Sequence, residues 1–292
     1  MSGWPDWAAG WTAPVERWTA TVAVEAVAGL AALLDADPAM ATPGQPLPLL
    51  WHWVALASWP PMREVGPDGH PATGGFMPPT PYPRRMWLGV TVEAAAAPVI
   101  GTPVIVERTV SDIAEKAGNS GSFALVSVTT TVRADDGAPL LVETTRFAYR
   151  PPVEVSPAHS PLDPVAHTGG EWLTGDGSQW VARPDPVVLA RYSALTANGH
   201  RIHYDLPYAS QVEGYPNLLV HGPLMATLLA EVARRTNPDR RLIGVSCRAE
   251  RPYFLGAPAA ITVTNSDDST VDLGLGNDPS SGANMTATVT LA

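Results

Sequence analysis

Between Thr12 and Leu34 the apolar residues Val15, Trp18, Val22, Ala26, Leu30 and Leu33 recur at helical spacing, with Thr12 placed as a cap and Pro14 in the first turn. This pattern predicts a helix over 12–34. A second apolar stretch, Leu49, Leu50, Trp53, Leu56 and Ala57, follows Pro48 and is stopped by Pro60 and Pro61, which predicts a helix within 48–59. From 60 to 85 proline and glycine are too dense for regular structure, and the length of the segment marks it as a functional loop. The period then changes to two. Residues 103–111, 123–133 and 140–150 are rich in Val and Thr and read as antiparallel strands, with Asp136-Gly137 turning the chain between the last two.

Pro, Gly and Asp return over 151–186, which reads as a linker between a first unit, 1–150, and a second, 187–292. The second unit repeats the order of the first. A short apolar stretch over 187–195 comes first, then a helix over 221–235 carrying Leu224, Leu228 and Val232 on one face, then three or four strands from Leu242 to the end. Matching strand entries, Gly101-Thr102-Pro103 and Gly256-Ala257-Pro258, punctuate both units. Two units, each a helix wrapped by a curved antiparallel sheet, give an α+β architecture.

Composition narrows the function. The 292 residues carry a formal charge of −10, and such a surface repels a nucleic-acid backbone. The longest apolar stretch, near 22–34, is interrupted by Glu25 and is too short to span a membrane. The N-terminal segment resembles neither a signal nor a transit peptide, and the one cysteine, Cys247, is expected as a buried hydrophobe, so the expected location is the cytoplasm.

The densest polar cluster is Asn198, His200, Arg201, His203 and Asp205, followed by Glu213 and by His221-Gly222-Pro223. Imidazole beside carboxylate suits general acid and base work near neutral pH, although such a loop also serves to satisfy helix ends. His200, His203 and Asp205 are metal-ligand types without a second ligand pair, so no metal is expected. Gly222 as N-cap and Pro223 as first helical residue would aim free N–H groups at a ligand oxygen.

The run 193–205, with Glu213-Gly214-Tyr215-Pro216 and Val220-His221-Gly222-Pro223-Leu224, resembles the hydratase segment of the MaoC-like, R-specific enoyl-CoA hydratases and dehydratases. In the first unit, Asp68-Gly69-His70-Pro71, Gly75-Phe76-Met77-Pro78-Pro79 and Pro83-Arg84-Arg85-Met86-Trp87 are similar to one branch, the mesaconyl-C4-CoA (3-methylfumaryl-CoA) hydratases and their acyl-dehydratase relatives. The resemblance implies a double hot dog whose central helices are 48–59 and 221–235, and reversible hydration of an α,β-unsaturated acyl-CoA without a cofactor. Aligned on the family's D-x-N-P-x-H signature, His203 takes the place of the histidine and Asn198 that of the aspartate. His203 is then the expected acid/base and Asn198 the group that orients water, with Asp205, His200 or Glu213 as a second titrating partner and the Gly222 N–H as oxyanion donor.

Arg84, Arg85, Arg201, Arg248 and Arg251, with Trp87 and His221, are the substrate-binding candidates. Arg84 and Arg85 beside Trp87 suit a free carboxylate on the acyl group, with the 60–85 loop as the wall of the acyl pocket and the first unit shaping substrate without catalysing. Two other readings are a thioesterase, which releases free thiol, and an acyl-CoA-binding subunit without turnover, for which Asn198 is the argument. A monomer or a homodimer satisfies the fold.

Overall fold

The computed structural model describes residues 4–118, 121–152, 165–167 and 169–292. The chain runs β1 (Val15–Thr21), α1 (Val24–Leu33), α2 (His52–Ala55), β2 (Arg84–Ala94), β3 (Pro103–Gly118), β4 (Gly121–Ala134) and β5 (Pro139–Arg150). The second half follows as β6 (Leu173–Asp176), β7 (Gln179–Ala182), α3 (Pro186–Leu195), α4 (Leu206–Gln211), α5 (Gly222–Thr236), β8 (Leu242–Ala249), β9 (Ala259–Ser266), β10 (Thr270–Gly276) and β11 (Met285–Leu291).

All eleven strands form one antiparallel sheet in the order β1-β3-β4-β5-β2-β8-β11-β10-β9-β7-β6. Outward from the β2–β8 seam, the first half reads 2-5-4-3-1 and the second 8-11-10-9-7, so the repeat in the sequence is a repeat in topology. The seam pairs five residues on each side, from Gly89 opposite Arg248 to Glu93 opposite Gly244. β3 and β4 pair along their length with one register shift between Val110 and Asp112, and Asp136-Gly137 makes the expected turn into β5.

Three expectations need correction. The predicted helix over 12–34 is β1 followed by α1: Val15–Thr21 pairs residue by residue with β3, and β-branched Val15, Thr19 and Thr21 suit that pairing better than the i, i+4 coincidence of Trp18 and Val22 suits a helix. The predicted helix within 48–59 shrinks to the four residues of α2: Leu50 takes a positive φ at its start, and the helix ends at Ala55, well ahead of Pro60 and Pro61. The 151–186 segment holds the β6–β7 hairpin, which adds to β9; residues 153–164 and 168 of it lie outside the described residues.

The helix over 221–235 is present as α5, with ten buried residues against the second-half strands. Its N-cap is His221, so Gly222 and Pro223 are the first two helical residues rather than cap and first residue. Cys247 is buried in β8, and burial pushes its thiol up to about 12. No described helix is long and apolar enough to cross a membrane.

Candidate active site

A cavity of about 1270 Å³ lies between the halves. Its second-half wall is the turn between α3 and α4, the start of α5 and the end of β8; its first-half wall is the 60–85 loop and the inner face of β1 to β5. The α3–α4 turn is shaped by local hydrogen bonds. Ala197 takes a positive φ, the Asn198 amide N–H returns to the Ser193 carbonyl (2.9 Å), and Asn198 Oδ1 accepts from the His200 backbone N–H (3.1 Å). A 3₁₀ turn, Arg201–His203, follows, and Asp205 caps α4.

His203 is buried and lines the cavity. Its Nδ1–H donates to the Leu219 carbonyl (2.7 Å), which leaves Nε2 uncommitted among the described residues. Burial lowers its pKa to about 4 against the opposing effect of that hydrogen bond, so the ring is neutral at physiological pH. The His221 ring stacks on it at 3.6 Å, and His221 Nε2 hydrogen-bonds Ser193 Oγ (2.8 Å). His221, expected to bind substrate, is fully buried against His203 and is not among the residues that line the cavity.

Gly222 faces the cavity at the N-terminus of α5, where N–H groups have no carbonyl to reach inside the helix. Trp87 from β2 lies so close that a Cβ at position 222 would sit 2.5 Å from Trp87 Cε3. Only glycine lets the indole close over this helix end.

The remaining expected residues separate. Asn198, Arg84, Arg85, Trp87, Arg248 and Arg251 line the cavity. Asp205 does not: its Oδ1 caps α4 at the Tyr208 N–H (3.1 Å) and its Oδ2 pairs with Arg201 (2.8 Å). Arg201 is correspondingly spent on Asp205, on the Pro67 carbonyl and on the face of Tyr208, and it too lies off the cavity. The Asp-Leu-Pro sequence at 205–207 signals this cap.

Glu213 neutralises Arg84 through a 2.8 Å ion pair, which Tyr215 Oη extends at 3.2 Å. Arg85 packs on Phe147 and has no carboxylate partner among the described residues. Arg248, at the mouth, pairs loosely with Glu250 (3.2 Å), and Arg251 donates to the Gly282 and Ala283 carbonyls.

His70 enters the cavity wall from the 60–85 loop with Asp68 hydrogen-bonded to it from off the cavity, and Arg150 enters opposite Arg84 on β5. The Arg201 amide donates to the Asp68 carbonyl (2.9 Å), and Gly69, at φ +90°, packs so tightly that a Cβ there would overlap the Gly199 carbonyl. Four imidazoles therefore stand in a row: His70 and His200 are 4.0 Å apart, His200 meets His203 edge-on at 5.5 Å, and His203 stacks on His221. Ligand atoms of Asp68, His70 and His200 lie within 4.8 Å of one another: Asp68 hydrogen-bonds His70, and His200 Nε2 stands 4.0 Å from Asp68 Oδ2.

Residues 50–255 match the model of the hydroxyacyl-thioester dehydratase type 2 family. The chain belongs to that family. It is 39% identical over 254 residues, 87% of each chain, to the mesaconyl-C(4)-CoA hydratase of Chloroflexus aurantiacus, and 35% identical over 95 residues, 32% of each chain, to the mitochondrial type 2 hydroxyacyl-thioester dehydratase of Schizosaccharomyces pombe. Among solved structures, the HtdX protein of Mycobacterium tuberculosis superposes with a TM-score of 0.63 at 20% identity, covering 94% of this chain and 99% of its own. A second M. tuberculosis protein, described as a double hot dog, gives 0.58 at 14% identity over 99% and 98%. The dehydratase is thus a double hot dog and a lyase that acts on acyl thioesters.

Proposed function

We propose that the enzyme reversibly hydrates a branched C5 dicarboxylic enoyl-CoA, with mesaconyl-C4-CoA, giving citramalyl-CoA, as the preferred substrate. The observation that carries this reading is the pair of neighbouring arginines on β2. Arg84 is matched by Glu213, whereas Arg85 brings an unmatched guanidinium to the cavity wall, where a carboxylate would complete it. The 39% identity to a mesaconyl-C(4)-CoA hydratase supports the same reading.

In hydration, neutral His203 takes a proton from water through Nε2 as the water oxygen bonds C3, and the imidazolium returns a proton to C2. Charge that builds on the thioester oxygen meets the Gly222 N–H at the start of α5. Asn198 turns its NH₂ group toward the reacting water, its oxygen being held by the His200 N–H. Arg248 and Arg251 at the mouth receive the phosphates of the CoA arm.

The test is incubation with crotonyl-CoA, mesaconyl-C4-CoA and itaconyl-CoA, following loss of the conjugated thioester and release of free thiol. The expected result is loss without thiol, fastest on mesaconyl-C4-CoA; thiol release would indicate a thioesterase instead. Arg85→Met is expected to lower kcat/KM for mesaconyl-C4-CoA by about thirtyfold or more, as truncating one partner of a buried charge pair costs about 2 kcal/mol or more. Crotonyl-CoA, which has no second carboxylate, should change little, and equal losses on both would remove Arg85 from substrate recognition.

A further inference from the structure

Position 198 leaves the site one proton acceptor short. Asn198 Oδ1 is committed to the His200 N–H, so the group this residue offers the cavity is an NH₂ donor. A carboxylate in the same turn would keep that hydrogen bond on one oxygen and present the other as an acceptor. A water held for attack has two O–H groups to point at acceptors, and His203 Nε2 accepts only one of them.

The missing acceptor is available from the other half of the molecule. His70 lines the same cavity as Asn198, His203 and Gly222. Asp68 grips it twice, with Oδ1 accepting from the His70 backbone N–H (3.0 Å) and Oδ2 facing its Nδ1 (3.2 Å). Asp68 Oδ2, facing Nδ1, fixes the tautomer with the proton on Nδ1 and the lone pair on Nε2. No described residue uses that Nε2. Burial, with Arg85 and His203 nearby, holds the His70 pKa well below the usual range, so its Nε2 is an acceptor at neutral pH. The Gly69–Gly199 contact and the Arg201 N–H bond to the Asp68 carbonyl dock this loop on the α3–α4 turn, and the His200 ring stands between those of His70 and His203, 4.0 Å from the first and 5.5 Å from the second.

We propose that His70 is a second catalytic residue: its Nε2, aligned by Asp68, accepts a hydrogen bond from one O–H of the attacking water while His203 Nε2 accepts one from the other, and a single O–H bond breaks. Resting on the hydratase reading above, this assigns half of the water site to the unit expected only to shape substrate. The O–H bond that breaks gives its proton to one imidazole as the C3–O bond forms. The same imidazolium then protonates C2, so both rings end neutral and no other reactant is needed. Asp68 is a positioning residue in this scheme, holding the His70 tautomer without touching water.

The test uses the full-length protein and crotonyl-CoA. His70→Gln keeps a donor for Asp68 and much of the side-chain volume but has no basic nitrogen. Its kcat should fall roughly a hundredfold or more, the range for loss of a general base, with KM within about threefold and an unchanged melting temperature. Asp68→Asn should give a smaller loss, and the double variant should be no worse than His70→Gln alone, because the two act as one unit. If His70→Gln folds poorly, His70→Ala with added imidazole substitutes for it, and recovery of rate with imidazole supports the assignment. Wild-type hydration with His70→Gln within threefold of it overturns the role of His70 and leaves the hydratase standing. A wild type that hydrates none of the three enoyl-CoAs overturns both.

Discussion

The two halves share a topology and differ in what fills their sheets. In the second half the helix before the seam strand is α5, fifteen residues with ten buried, lying against β8 to β11. In the first half the equivalent helix is α2, four residues pinned to β5 where Glu143 accepts from His52 Nε2 (2.7 Å), Trp53 Nε1 (2.6 Å) and Thr145 Oγ1 (2.7 Å). Trp18, Val106, Val132, Thr145 and Phe147, which a full helix would cover, line the cavity instead. A hot-dog unit that gives up most of its central helix exchanges core for volume, and its partner unit supplies the rigidity.

The largest expected effect tests where chemistry resides. His203→Ala should lower kcat by about 10²–10⁴-fold at pH 7, and a residual rate near wild type would move the chemistry off the second half. The wild-type acid limb should lie near pH 4, the value to which burial lowers His203, rather than near 6.5. Stability should follow the same sign: the unfolded chain protonates this ring below about 6.5 and the folded protein only near 4, so the contribution is full above 6.5 and falls as pH drops through that window. Urea midpoints between pH 7 and pH 4 measure it.

Next comes packing. Leu228→Ala, at a fully buried position on α5, should cost about 2–5 kcal/mol because its surroundings cannot collapse. Leu56→Ala already faces the cavity and creates no new enclosed void, so it should cost about 1 kcal/mol. Equal losses in denaturant unfolding would mean that both halves depend on packing alike. The smallest effect is expected at Asp205: Asp205→Ala removes the α4 cap and the Arg201 pair, costs about 1 kcal/mol and leaves kcat within a few-fold. A hundredfold loss of kcat would return Asp205 to the site.

What the sequence made legible divides along physical lines. β3, β4 and β5 announced themselves through Val and Thr alternation, and α5 through Leu224, Leu228 and Val232, because burial of one face writes its period into the chain. β1 was hidden because a seven-residue edge strand next to a true helix mimics one longer helix, and pairing with β3, ninety residues away, decides it. The β6–β7 hairpin was hidden by its glycines, Gly175 in β6 and Gly177 in the turn, within a Pro- and Gly-rich segment. His203, Asn198 and Gly222 were visible through a short motif, whereas the alignment of His70 by Asp68 at the same site depends on how the 66–70 turn docks on Gly199, which no local pattern encodes.

The β2–β8 seam has one more consequence. Two identical subunits meeting across such a seam would receive every substitution twice, so a change that opens one sheet for an acyl group would also hollow the sheet that must stay filled. Joining the halves in one chain breaks that symmetry, because each codon then lands once in the eleven-stranded sheet. Mutations that enlarge the cavity are therefore tolerable in β1 to β5 and damaging in β8 to β11, and an experimenter who wants a new substrate should randomise the first half alone.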